Sequence, residues 1–86
     1  MNNTEEQVKF KILWHLYHHG YFGKRHTPIE SLKRGLPNHL KGEAENVARD
    51  LIREGTLTAK KTAHGLDVSI DPRRAMEVKK YLQAQP

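Results

Sequence analysis

At 86 residues the chain has room for one domain with one modest core, and with no cysteine neither a disulfide framework nor a thiolate zinc site can brace it. Hydrophobic residues at 36% and charged residues at 29% suit a folded domain, and no apolar run approaches the roughly 20 residues of a membrane span. The start (MNNTEEQ) is polar and acidic, unlike a secretory leader, so a cytoplasmic protein is expected. Fifteen Lys and Arg against ten Asp and Glu give +5, a balance that favours a polyanionic partner.

Thr4 and Gln7 form a capping-box pattern that predicts a first helix from residue 4 to about His19, ahead of Gly20. Val8, Ile12, Leu13 and Leu16 make one apolar stripe on it. Phe10, Trp14 and Tyr17, with Tyr21 beyond, make a second, so this helix is sandwiched or lies at an interface.

Thr27-Pro28-Ile29-Glu30 combines a capping threonine, a proline at the first helical position and a glutamate two further on, predicting a short second helix that buries Ile29 and Leu32 and stops near Gly35. Between the two helices, residues 21 to 26 are either a short edge strand or a loop. Leu36-Pro37-Asn38 then turns into a third helix with Leu40, Ala44, Val47, Ala48, Leu51 and Ile52 on one face, ending at Gly55. Two helices joined by so short a turn form a helix-turn-helix.

Past Gly55 the period drops to two. Leu57 and Ala59 alternate with Thr58 and Lys60, and Leu66, Val68 and Ile70 with Asp67 and Ser69, with His64-Gly65 as the turn of a hairpin. Asp71-Pro72 caps a last helix that turns Ala75, Val78 and Leu82 inward. The expected fold is mostly α with a small β-hairpin, in the order helix, helix, helix, hairpin, helix. One domain spans residues 4–82, with 1–3 and 83–86 as fraying tails.

This order resembles the winged helix-turn-helix family of DNA-binding domains. The segment Val47 to Thr58 (VARDLIREGTLT) is similar to the end of many recognition helices in that family. Lys60-Lys61-Thr62 and the run from His64 to Ser69 resemble small archaeal winged-helix proteins. The resemblance implies a transcription regulator whose third helix enters the major groove of duplex DNA while the wing lies on the backbone.

On that reading His39, Lys41, Asn46, Arg49 and Arg53 face the DNA, with Asn46 suited to adenine, Arg49 to guanine and Lys41 to phosphate. Glu43, Glu45, Asp50 and Glu54 on the same helix oppose it, and pairing such as Glu45 with Arg49 would make a merely solvated face. Further phosphate contacts are expected from Lys24, Arg25 and His26 before the second helix, Lys33 and Arg34 at its end, Lys60, Lys61 and His64 on the wing, and Arg73 and Arg74 beyond. Arg73 and Arg74 are notable because a helix start disfavours cations. Lys33 and Arg34 also suit a helix C-terminus, and Lys60 and Lys61 also guard a strand edge.

The aromatic stripe Phe10, Trp14 and Tyr17, with Tyr81, either receives the last helix or forms the seam of a homodimer. His15 and His19 stand four apart without a third ligand, so no metal and no cofactor are expected. Neither a phosphate loop nor a nucleophile elbow is present, and the chain is expected not to be an enzyme. The competing reading is a protein-interaction module on the same scaffold, docking through the acidic third helix or the aromatic stripe.

Overall fold

The structure is a computed structural model that describes residues 3 to 84, and the side chains of 4 to 84. It is an α+β fold of three helices and a small antiparallel sheet of three strands. Helix α1 is Asn3–His18, and Thr4, expected to cap it, lies inside its first turn. Val8, Ile12, Leu13 and Leu16 are buried along one face, as the stripe requires. Gly20, at φ +72°, ends the helix: its N–H donates to the Tyr17 carbonyl and that of Tyr21 to the Leu16 carbonyl, the paired bonds of a Schellman stop.

The expected second helix is replaced by two smaller elements. Thr27–Pro28 is strand β1, and Ile29–Lys33 is a single 3₁₀ turn that buries Ile29 and Leu32. Thr27 is buried in the sheet and caps nothing. The reason is local: a proline pushes the residue before it into extended backbone, threonine is β-branched, and Pro28 itself is extended at ψ 141°. Gly35 is not left-handed. The chain leaves the turn through short bonds from Arg34 N–H to the Ser31 carbonyl and from Leu36 N–H to the Lys33 carbonyl.

Helix α2, Asn38–Arg53, buries Leu40, Ala44, Val47, Ala48 and Leu51, with Ile52 half-buried. It ends as α1 does. Gly55 stands at φ +90°, and its N–H donates to the Ile52 carbonyl while that of Thr56 reaches Leu51.

Strands β2, Leu57–Thr62, and β3, Gly65–Ile70, pair from Leu57 with Ile70 to Thr62 with Gly65, so the loop between them is Ala63-His64, one residue earlier than expected. The sheet order is β1-β3-β2, Thr27 pairing with Val68 and Pro28 with Asp67. Residues 21 to 26 form no strand; Phe22 makes one bridge to Ile70, and Ile70 N–H donates to the Tyr21 carbonyl. Only Leu57, Val68 and Ile70 of the hairpin's inner face are buried, because the hairpin outruns the core. Ala59 is exposed.

Asp71 then caps a 3₁₀ turn, Pro72–Arg74, which runs into α3, Ala75–Ala84. Gln83 and Ala84 are therefore helical and not tail, whereas residues 1, 2, 85 and 86 lie outside the described residues. Val78 joins α3 to a core made by α1, α2, the 3₁₀ turn at 29 to 33 and the inner sheet face. Among the described residues no helix is long and apolar enough to cross a membrane.

Candidate nucleic-acid interface

The outer side of α2 carries one solvent-exposed stripe, His39, Gly42, Asn46, Arg49 and Arg53, at alternating spacings of three and four. Four of the five polar positions singled out on this helix thus share a face. Lys41 is half-buried at the stripe's edge. Arg49 donates to Glu45 Oε2 from Nε at 3.1 Å and Nη2 at 2.9 Å, and Arg53 Nη1 to Asp50 Oδ1 at 2.8 Å. All four side chains are exposed, so each pair contributes at most about 1 kcal/mol. The acids are also partly set apart: Asp50 and Glu54 line a hollow with Glu5, Glu6 and Lys9 of α1 that no hairpin residue lines.

Where α2 meets the hairpin, Arg49, Ile52, Arg53, Ala59 and Leu66 line an open hollow of about 350 Å³. Strand alternation sets Lys61 on this inner face, opposite Leu66, with the Ala63-His64 tip beyond it. Lys60 belongs to the other face, so the two hairpin lysines diverge.

On that outer face Lys60 joins Lys24, His26, Thr58, Asp67 and Ser69 around a second hollow of about 550 Å³. His26 Nδ1 lies 2.7 Å from Asp67 Oδ2, tying the loop before β1 to the central strand. Ser69 is buried although it points outward, because the loop covers it: its hydroxyl donates to the Gly23 carbonyl at 3.0 Å and lies 2.8 Å from Thr58 Oγ1. Arg25 is set apart with its guanidinium over the Tyr21 ring at 5.4 Å. The sequence offered no route to this cluster, since His26 and Asp67 are 41 positions apart. Only the alternation of Asp67 and Ser69 hinted at a shared face.

Arg73 and Arg74 have internal partners. Arg73 Nη2 donates to Asp71 Oδ2 at 2.9 Å, and the Arg73 N–H to Asp71 Oδ1 at 2.9 Å. The side-chain bond first, and the backbone bond second, hold the Asp71 carboxyl below its ordinary value; the same pairing raises Arg73. Arg74 Nη1 stands 3.5 Å from Glu77, and Nη2 donates to the Glu54 carbonyl. These partners account for cations at a helix start, while the Arg73 side chain stays 89% exposed.

The aromatic stripe of α1 divides. Phe10 lies 6.5 Å from the Tyr81 ring and Tyr17 packs edge-on against Phe22, which leaves Trp14 outward at 45% exposure. The Tyr81 hydroxyl donates to Glu6 at 3.3 Å; burial, then the Glu6 charge, push its pKa up to about 12. Lys9 caps the same ring at 4.9 Å. The His15 and His19 rings lie 4.3 Å apart, tilted by 31°, and burial first, then the His19 charge, lower the pKa of His15. Among the described residues no three His, Cys, Asp or Glu side chains are grouped to hold a metal ion.

No protein-family model matches the chain, and no curated protein or solved structure matches it significantly.

Proposed function

We propose that this chain is a winged helix-turn-helix protein that binds duplex DNA as a small transcription regulator, with α2 seated in the major groove and the β2–β3 hairpin as the wing. In this reading it is a binding protein and not an enzyme. The observation that carries it is the hollow shared by Arg49 and Arg53 of α2 with Ala59 and Leu66 of the hairpin. A helix stripe and an overhanging hairpin that border one concave surface can straddle a phosphate ridge, which neither element alone can do. Asn46 and Arg49 on the stripe would read base edges; Lys61 and His64 would meet the backbone.

The ion pairs of the stripe do not oppose this reading. Exposed pairs are worth so little that Arg49 and Arg53 can exchange Glu45 and Asp50 for phosphate or guanine at small cost. Glu45 and Asp50 would instead repel a misaligned backbone, adding selectivity.

The test is fluorescence anisotropy with a mixed pool of short duplexes at about 50 and 200 mM salt. Binding should weaken at least several-fold with salt, and Arg49→Ala with Arg53→Ala should weaken it and flatten the salt slope. Absence of binding at the lower salt would overturn the proposal.

A further inference from the structure

A third hollow, between α1 and the stretch from Leu32 to Leu36, is chemically unlike the others. Phe10 and Trp14 form one wall and Leu32 and Leu36 the other, with Lys11 and His15 at the rim and a volume of about 330 Å³. Trp14 is one of only two large apolar side chains exposed among the described residues. It stacks on His18 at 4.1 Å, while His18 Nδ1 lies 3.0 Å from the Trp14 carbonyl, so the indole is braced in its outward position. A braced, half-exposed tryptophan over leucines is the composition of an interface anchor.

No carboxylate lines the groove, and among the described residues Lys11 at its rim and Arg34, which precedes the lining Gly35, make no ion pair. The acids of α1, Glu5 and Glu6, line a different hollow together with Asp50 and Glu54. Phe10 and Trp14 stand four residues apart on α1, the spacing at which an inserted helix presents its own anchors, while the facing Leu32 and Leu36 are buried. We infer that this groove is a docking site for an acidic amphipathic helix of a partner protein, its apolar face between Trp14 and Leu36 and its carboxylates toward Lys11 and Arg34. The site uses no residue of the α2 stripe or the hairpin.

Trp14 is the single tryptophan, so its emission reads the groove directly. The intact chain is titrated with two tryptophan-free helical peptides of about 15 residues, identical in their apolar face but carrying glutamate or lysine on the flanks. The glutamate peptide should shift the emission saturably, and the lysine peptide should bind more weakly. Lys11→Glu, on an exposed helix position that preserves the fold, should weaken the glutamate peptide about threefold to fivefold, the worth of one exposed ion pair, and strengthen the lysine peptide. No saturable shift, or equal binding of both peptides by both proteins, would overturn the inference. So would a concentration-dependent emission shift without peptide, accompanied by dimer in sedimentation, because a second copy would then own the groove.

Discussion

Arg74 reaches back twenty positions to donate from Nη2 to the main-chain oxygen of Glu54, at 3.4 Å, where α2 ends. The guanidinium lies against the negative end of that helix, over a glycine that leaves it room: a Cβ on Gly55 would stand 3.3 Å from Nη2. Arg74→Ala should therefore lower stability by about 0.3–1 kcal/mol, a drop of a few degrees in Tm, as helix C-terminal cations do. In the proposed DNA binding, the same variant should leave the salt slope unchanged. A flattened slope in a protein of unaltered Tm would instead make Arg74 a phosphate ligand.

Asp71 gives the fold an acid-sensitive joint between β3 and α3. Its folded pKa lies below the ordinary 3.8 because Arg73 bonds the ionised form. Folding therefore favours the carboxylate, and this stabilisation is fully present above 3.8 and disappears as pH falls through the lower folded value. Asn can still cap a helix but carries no charge. In melts from about pH 5 to about pH 2, Asp71→Asn should lose less stability than the parent on acidification; equal losses would show that the pairing does not act on folding.

His15 works on a milder range with the same sign. Burial and the neighbouring His19 lower its pKa in the folded protein, so folding favours the neutral ring. Stability is fully present above the ordinary value of 6.5 and declines as pH falls through the lower folded value. His15→Gln should flatten the melt between about pH 7 and about pH 5. An NMR titration adds a second readout: His19→Gln should move the His15 midpoint upward, and an unmoved midpoint would leave burial as the whole cause.

Ser69 fixes the loop over the outer sheet face. Its buried hydroxyl satisfies the Gly23 carbonyl, whose residue also returns an N–H bond to the Ile70 carbonyl at 3.1 Å. Ser69→Ala leaves that carbonyl without this donor, and urea unfolding should show a loss of about 1–3 kcal/mol. The Gly23 amide should exchange faster than in the parent. A loss below about 0.5 kcal/mol would mean that water enters and replaces the hydroxyl.

Features set by neighbouring residues were legible in the sequence. Gly20 and Gly55 as helix stops and the Asp71-Pro72 cap rest on bonds within a few positions, and the stripe Val8 to Leu16 and the two-residue period of the hairpin are local patterns of residue type. Thr27-Pro28 misled because the same letters suit a helix cap and an extended pre-proline residue, and only pairing with Val68 and Asp67, some forty positions on, decides between them. The same range limit hid the bond from His26 to Asp67 and the partner of Arg74 at Glu54. Aromatic periodicity showed that Phe10, Trp14 and Tyr17 share a side of α1 and offered the last helix with Tyr81 as one cover for it, but not that Phe22 packs on Tyr17.

Adjacent lysines on one strand make the sharpest test of how DNA would sit. Lys61 shares the inner face with Ala59 and Leu66, beside the α2 stripe, whereas Lys60 opposes Asp67 on the outer face with Lys24 and His26. A duplex held between the α2 stripe and the hairpin releases counterions on Lys61 and few on Lys60. Lys61→Ala should lower affinity several-fold and reduce the salt slope by about one ion, with Lys60→Ala near the parent. The reverse ranking would move the nucleic acid to the outer sheet face, where Asp67 shares a hollow with Lys24 and Lys60. In that case Asp67→Asn should strengthen binding by removing a carboxylate from the contact. Equal, small effects from both lysines would mean that the hairpin does not touch the duplex and that α2 binds alone.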